Sequence, residues 1–107
     1  ETDLGDISEM IEQLEQIARV LYGRIERAKS YGRTLTIKIK FEDFKQITRS
    51  KTFASEIDSY ELLWDCTTEI FNKLDLSGYK VRLLGVSVSN FVSDDNSSKP
   101  LQLTFDF

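Results

Sequence analysis

The chain has 107 residues, of which 40% are hydrophobic and 30% charged, and its net charge is −4. That is the length of one domain, with enough apolar surface for a core that needs no staple. A single cysteine, Cys66, excludes an internal disulfide, and the lack of histidine excludes Ser–His and Cys–His nucleophile pairs and the common zinc sites.

Residues 7–28 carry apolar side chains at helical spacing: Ile7, Met10, Ile11, Leu14, Ala18, Leu21, Ile25 and Ala28. Asp6, with Glu9 three residues later, has the spacing of a capping box. Arg24, Arg27 and Lys29 suit the negative end of the helix dipole, and Gly32 then breaks the pattern. Residues 33–41 alternate. Leu35, Ile37, Ile39 and Phe41 point one way; Thr34, Thr36, Lys38 and Lys40 point the other. This predicts a half-buried strand with one polar, basic face.

Glu42 and Asp43 mark a turn. Residues 46–53 predict a second strand, with Ile47 and Phe53 inward and Thr48, Ser50 and Thr52 outward. Arg49 and Lys51 fall on the inward parity, so a bulge or twist is expected to free them. Residues 58–74 predict a second helix with a buried stripe of Tyr60, Leu63, Trp64, Thr67, Ile70, Phe71 and Leu74. Asp58 and Glu61 have capping-box spacing, and Gly78 is the expected stop. Residues 79–91 predict a last strand. Leu84, Val86 and Val88 point inward; Gly85, Ser87 and Ser89 point outward and are small enough for another surface to approach. Arg82 shares the inward parity and is expected at the strand's start or at an irregularity.

This order packs as an α+β two-layer sandwich, an antiparallel sheet with both helices on one face. The other sheet face stays open, which a polar face tolerates in water. Charge is segregated along the chain. Residues 33–53 hold six basic and two acidic residues, a net +4, which leaves −8 on the remainder. Such a face is commonly just a solvated one, since charged strands also resist aggregation. The clustered Thr, Ser, Lys and Arg add a second reading, a surface for nucleic-acid phosphates. The phenylalanines fall on core positions, which favours duplex backbone contact over stacking of splayed bases.

Residues 92–101 read by composition as a flexible linker. Residues 102–107, "QLTFDF", alternate Leu103, Phe105 and Phe107. That pattern fits a peptide that orders on a hydrophobic cleft of a partner. Alternation is also strand periodicity, so the alternative is a strand added to the domain's own sheet edge.

"GRTLTIKIKFEDFKQITRSKTF" (residues 32–53) resembles the paired strands of the little-finger domain of Y-family DNA polymerases, in particular their bacterial members. "ETDLGDISEM" resembles the acidic lead into that domain's first helix, and "VRLLGVSVSNF" its last strand. The resemblance spans residues 1–91, and "ITRSKT" and "VRLLGV" are its most specific parts. It implies a domain that grips the double-stranded primer–template along its phosphates while a separate palm copies past damaged bases. Arg49, Ser50, Lys51, Thr52 and Arg82 carry over as DNA-binding residues. The alternation adds Thr34, Thr36, Lys38, Lys40, Ser87 and Ser89.

Two departures stand out. Relatives often carry further basic residues where this chain has Leu83 and Ser87, and only Glu1 and Thr2 remain of the family's first strand. "QLTFDF" resembles the bacterial sliding-clamp-binding peptide, with Gln102, Leu103, Phe105 and Phe107 as the clamp-binding residues. The chain opens without methionine and is expected to be part of a larger bacterial cytoplasmic polymerase with roles in DNA repair and replication. The expectation for these residues alone is no catalysis, no cofactor and no membrane contact. Mg²⁺ would belong to the parent's palm, whose carboxylates have no counterpart here. The competing expectation is an α+β protein-interaction or regulatory module that packs its open sheet on another protein.

Overall fold

The computed structural model describes residues 7–29, 31–76, 79–91 and 101–106. Two helices and four strands follow in the order α1 (Ile7–Ala28), β1 (Gly32–Phe41), β2 (Gln46–Thr52), α2 (Tyr60–Phe71), β3 (Val81–Phe91) and β4 (Leu101–Asp106). All strand pairs are antiparallel, and the sheet order is β2-β1-β3-β4. The expected α+β sandwich is present, with a fourth strand.

The core follows from the two periodicities. Met10, Leu14, Ile17, Ala18, Leu21 and Ile25 form the buried stripe of α1. They meet Leu35, Ile37, Ile39 and Phe41 of β1 and Val81, Leu84, Val86 and Val88 of β3 in one cluster. Leu63, Cys66, Thr67, Ile70 and Phe71 complete it from α2. Thr67 tolerates full burial because its hydroxyl donates to the Leu63 carbonyl at 2.7 Å. Helix α1 lies over β3 and β4, and α2 over β1 and β2.

Helix α2 starts later than its sequence suggests. Ser59, with extended backbone angles, is the N-cap, and its Oγ accepts from the Leu62 N–H at 3.1 Å. Asp58 therefore does not cap it. The hydroxyl sits one residue closer to the helix and satisfies an orphan amide. The helix ends at Phe71 with Asn72 as its C-cap, ahead of the predicted stop. Asp6 and Gly78 lie outside the described residues.

Gly32 opens β1 where no side chain fits. A Cβ there would meet the Ser89 backbone oxygen at 2.3 Å and Val88 Cγ1 at 2.7 Å. The first strand of the ladder is thus pressed against β3 at its very start, where Gly32 pairs with Phe91.

Candidate nucleic-acid interface

Among the described residues no helix covers the second face of the sheet, and strand parity fills it with polar groups. Thr34, Thr36, Lys38 and Lys40 of β1 stand opposite Thr52, Ser50, Thr48 and Gln46 of β2. The same four stand opposite Ser89, Ser87, Gly85 and Leu83 of β3. The Thr34 and Thr52 hydroxyls lie 2.7 Å apart and share a hydrogen bond. At the centre is a shallow hollow walled by Thr36, Lys38, Thr48, Gly85, Ser87 and Thr104. Hydroxyls and ammonium groups on a flat, open sheet are the donors that hold phosphate oxygens without reading bases.

Gly85 does not leave the gap its size suggests. It is buried, because Thr104 of β4 stands over it, and a Cβ added there would come within 2.7 Å of Thr104 Cγ2. The small residues Ser87 and Ser89 are half-buried on this face.

Arg49 and Lys51 are not on the open face. They pair with Ile37 and Leu35 and so share the helix-side parity. The expected bulge is absent, since the β1–β2 register runs unbroken from Thr34↔Thr52 to Lys40↔Gln46. They reach solvent for another reason: β2 is an edge strand that α2 covers only in part. The "TRSKT" motif is thus divided, with Ser50 and Thr52 on the open face and Arg49 and Lys51 around the edge. Lys51 forms an ion pair with Glu69 of α2, and its hydrogen bond holds the Glu69 carboxyl below the usual range. Lys51 also lies 5.2 Å from the centre of the Phe53 ring. Arg49 is exposed and donates to the Thr48 carbonyl at 3.0 Å. With Lys73, Ile70 and Leu74 these two cations line a groove between β2 and the end of α2.

Arg82 lies at an irregularity, as its parity demands. Lys40 pairs with Leu83 and Phe41 with Val81, so Arg82 is the extra residue of a bulge. Its guanidinium sits 4.7 Å from the centre of the Phe44 ring, and Lys40 Nζ sits 5.8 Å from the same ring. Phe44 is 67% exposed, so not every phenylalanine joins the core. Its position in the turn, outside both strand alternations, is the signal in the sequence that could have singled it out.

The tail forms β4. Leu101 to Asp106 pair with β3 in an unbroken register that sets Gln102 opposite Ser87, Leu103 opposite Val86, Thr104 opposite Gly85 and Phe105 opposite Leu84. Leu103 is half-buried against the core, and Thr104 extends the open face. Of the two uses the alternation allows, the sheet-edge strand describes residues 101–106. Leu101 is therefore strand rather than linker, while residues 92–100 and Phe107 lie outside the described residues.

Burial pushes the Cys66 thiol above its ordinary value, so it is a packed side chain rather than a poised nucleophile. Among the described residues no three Cys, Asp or Glu side chains gather as metal ligands would. No helix among them is long and apolar enough to cross a membrane.

The class that the fold defines is a two-layer α+β domain with one polar, cation-bearing sheet face left open. Relatives narrow the class. Residues 1–104 match the impB/mucB/samB family C-terminal domain. The chain is 36% identical over 104 residues to a DNA polymerase IV of Clostridium perfringens, covering 97% of this chain and 29% of that protein. It is 36% identical over 109 residues to a DNA polymerase IV of Bacteroides fragilis, covering 100% of this chain and 30% of that protein. A DNA polymerase IV of Clostridioides difficile is 32% identical over 90 residues, covering 84% and 25%. The chain belongs to the impB/mucB/samB C-terminal domain family, the little-finger domain of Y-family DNA polymerases, and spans less than a third of the length of these relatives.

Proposed function

We propose that this chain is the DNA-gripping accessory domain of a translesion DNA polymerase and lies with its open sheet face along the phosphates of the primer–template duplex. The observation that carries this is the uncovered face itself. Lys38 and Lys40 stand among the hydroxyls of Thr34, Thr36, Thr48, Ser50, Thr52, Ser87 and Ser89, on a chain whose net charge is −4. Phosphate contact explains why cations gather there while the acidic residues spread over the helices, which turn away from the duplex and disfavour the wrong orientation. Arg49 and Lys51, hanging around the β2 edge, would meet phosphates beside those that Ser50 and Thr52 contact. Polymerase chemistry belongs to the rest of the parent protein. Its Mg²⁺ ions would be held there too, since no acidic cluster among this chain's described residues fits them.

The tail is the second part of the proposal. Gln102, Leu103, Phe105 and Phe107 form a peptide for the bacterial sliding clamp. To use it, β4 must leave β3, because Leu103 cannot pack on the core and fill a partner's cleft at once.

Duplex binding measured against salt tests the first part. The chain should bind a primer–template with affinity that falls steeply as salt rises, at similar strength for unrelated sequences. Lys38→Ala with Lys40→Ala should weaken binding and lower the salt slope by about one for each phosphate no longer neutralised. A salt-independent affinity, or one that both substitutions leave unchanged, would mean that the open face serves another protein instead. Clamp binding with and without residues 102–107 tests the tail, and equal affinity refutes it.

A further inference from the structure

Phe44 is the residue that neither the core nor the sheet explains. It is 67% exposed, and its φ of 69° lies in the left-handed region that costs any residue but glycine. An exposed turn position with that backbone would suit Gly or Asn better than a large apolar ring. The turn nevertheless holds it firmly. The Phe44 N–H donates to the Phe41 carbonyl at 3.0 Å, and the Phe41 N–H donates to the Lys45 carbonyl at 2.8 Å. The Lys45 N–H donates to Asp43 Oδ1 at 3.1 Å, which ties the turn a third time.

What the ring touches is two cations. Arg82 arrives 4.7 Å from its centre because the β3 bulge turns it out of the inward parity, and Lys40 arrives 5.8 Å away from the open face. Among the described residues neither forms an ion pair with a carboxylate. Like charges repel, so gathering two of them on one ring is unfavourable unless the ring's quadrupole and a shared anion compensate. The ring supplies the first. Among the described residues no carboxylate supplies the second.

We infer that Phe44 is a positioning residue that holds Arg82 and Lys40 together as a two-cation clamp for a backbone phosphate of nucleic acid. A phosphodiester fits because guanidinium and ammonium donors take its two free oxygens without base contact. The clamp prolongs the open face past the β1–β2 turn, so it rests on the duplex-gripping reading of that face and extends the track by one phosphate.

The test compares Phe44→Leu, Phe44→Tyr and Lys38→Ala. In the free chain, NMR should show the Arg82 side-chain protons shifted upfield by the ring current. Phe44→Leu should abolish that shift and Phe44→Tyr keep it. In duplex titrations Phe44→Leu should weaken binding about two- to fivefold, the range of one cation–aromatic interaction, and reduce the salt slope. Phe44→Tyr should restore both. Unfolding midpoints should stay close together, since the ring is exposed. If Lys38→Ala weakens duplex binding and Phe44→Leu does not, the clamp fails while the sheet reading stands. If the unaltered chain binds no duplex, the sheet reading fails and the clamp with it. An Arg82 ring-current shift that survives Phe44→Leu also overturns the positioning role.

Discussion

The pairing of β4 with β3 can be weighed at a single methyl group. A Cβ introduced at Gly85 would lie 2.7 Å from Thr104 Cγ2, while the next atoms, Leu103 O and Thr104 Cβ, lie at an ordinary 3.7 Å. Overpacking of this kind costs about 1–3 kcal/mol. The crowded atom belongs to a side chain on an edge strand, which can give way, so the low end of that range applies. Replacing glycine by alanine also removes freedom from the unfolded chain, which offsets about 0.4–1 kcal/mol. Gly85→Ala should therefore destabilise the domain by up to about 1 kcal/mol. In a Thr104→Ala background the offending methyl is gone, and the same substitution should be neutral or stabilise by about 0.5 kcal/mol. The coupling between the two sites should be about 1 kcal/mol, the strain that the pair alone creates. Urea unfolding followed through Trp64, the chain's one tryptophan, reads all four members of the cycle. Gly32→Ala is the control. Its Cβ would strike the Ser89 backbone oxygen at 2.3 Å, so Thr104→Ala cannot relieve it. Additivity at Gly85 and Thr104 within about 0.3 kcal/mol would refute the strand pairing, because residues that do not touch do not couple.

Two further outcomes follow from the titrating groups. Cys66 keeps its proton in the folded chain at pH values where the unfolded thiol has lost it, because burial raises it. Its contribution to stability is complete below the unfolded thiol's range and is lost as pH rises from there through the higher folded value. Alkylation at pH 8.5 should be slow in buffer and fast in urea, and equal rates would show the thiol to be accessible. Glu69 has the opposite sign, since the hydrogen bond from Lys51 lowers it. Its contribution is present above the ordinary glutamate range and is lost as pH falls through the folded value. Unfolding midpoints of the unaltered chain and Lys51→Ala should thus differ near neutrality and converge in acid, and a difference that persists at pH 2 would assign the effect to packing on Phe53 instead.

Most of the scaffold was legible because its signals are local. Period 3.6 in residues 7–28 and period 2 in residues 33–41 each bury one face, whatever the rest of the chain does. Arg82 was legible in the same way: a charged residue on inward parity needs a bulge, and the ladder has one there. Arg49 and Lys51 posed the same conflict in sequence and received a different answer. Their strand lies at the sheet edge, where inward parity still faces solvent because α2 does not reach across it. Strand order is a property of the whole sheet, so no reading of residues 46–53 alone could contain it.

Five of the six elements, the open polar face, the clustering of cations and the resemblance to a polymerase-domain family could be read from the chain alone. Those depend on residue type and spacing, and both are written along the chain. Three things depended on the assembled sheet: Arg49 and Lys51 hang around its β2 edge, Phe44 stands in solvent between two cations, and the tail lies as an edge strand on β3. Alternating apolar residues satisfy a sheet edge and a partner's cleft equally well, and the choice between them rests on which surface is there to bury Leu103. In the fold that surface is the β3 edge, with Gly85 small enough to admit Thr104.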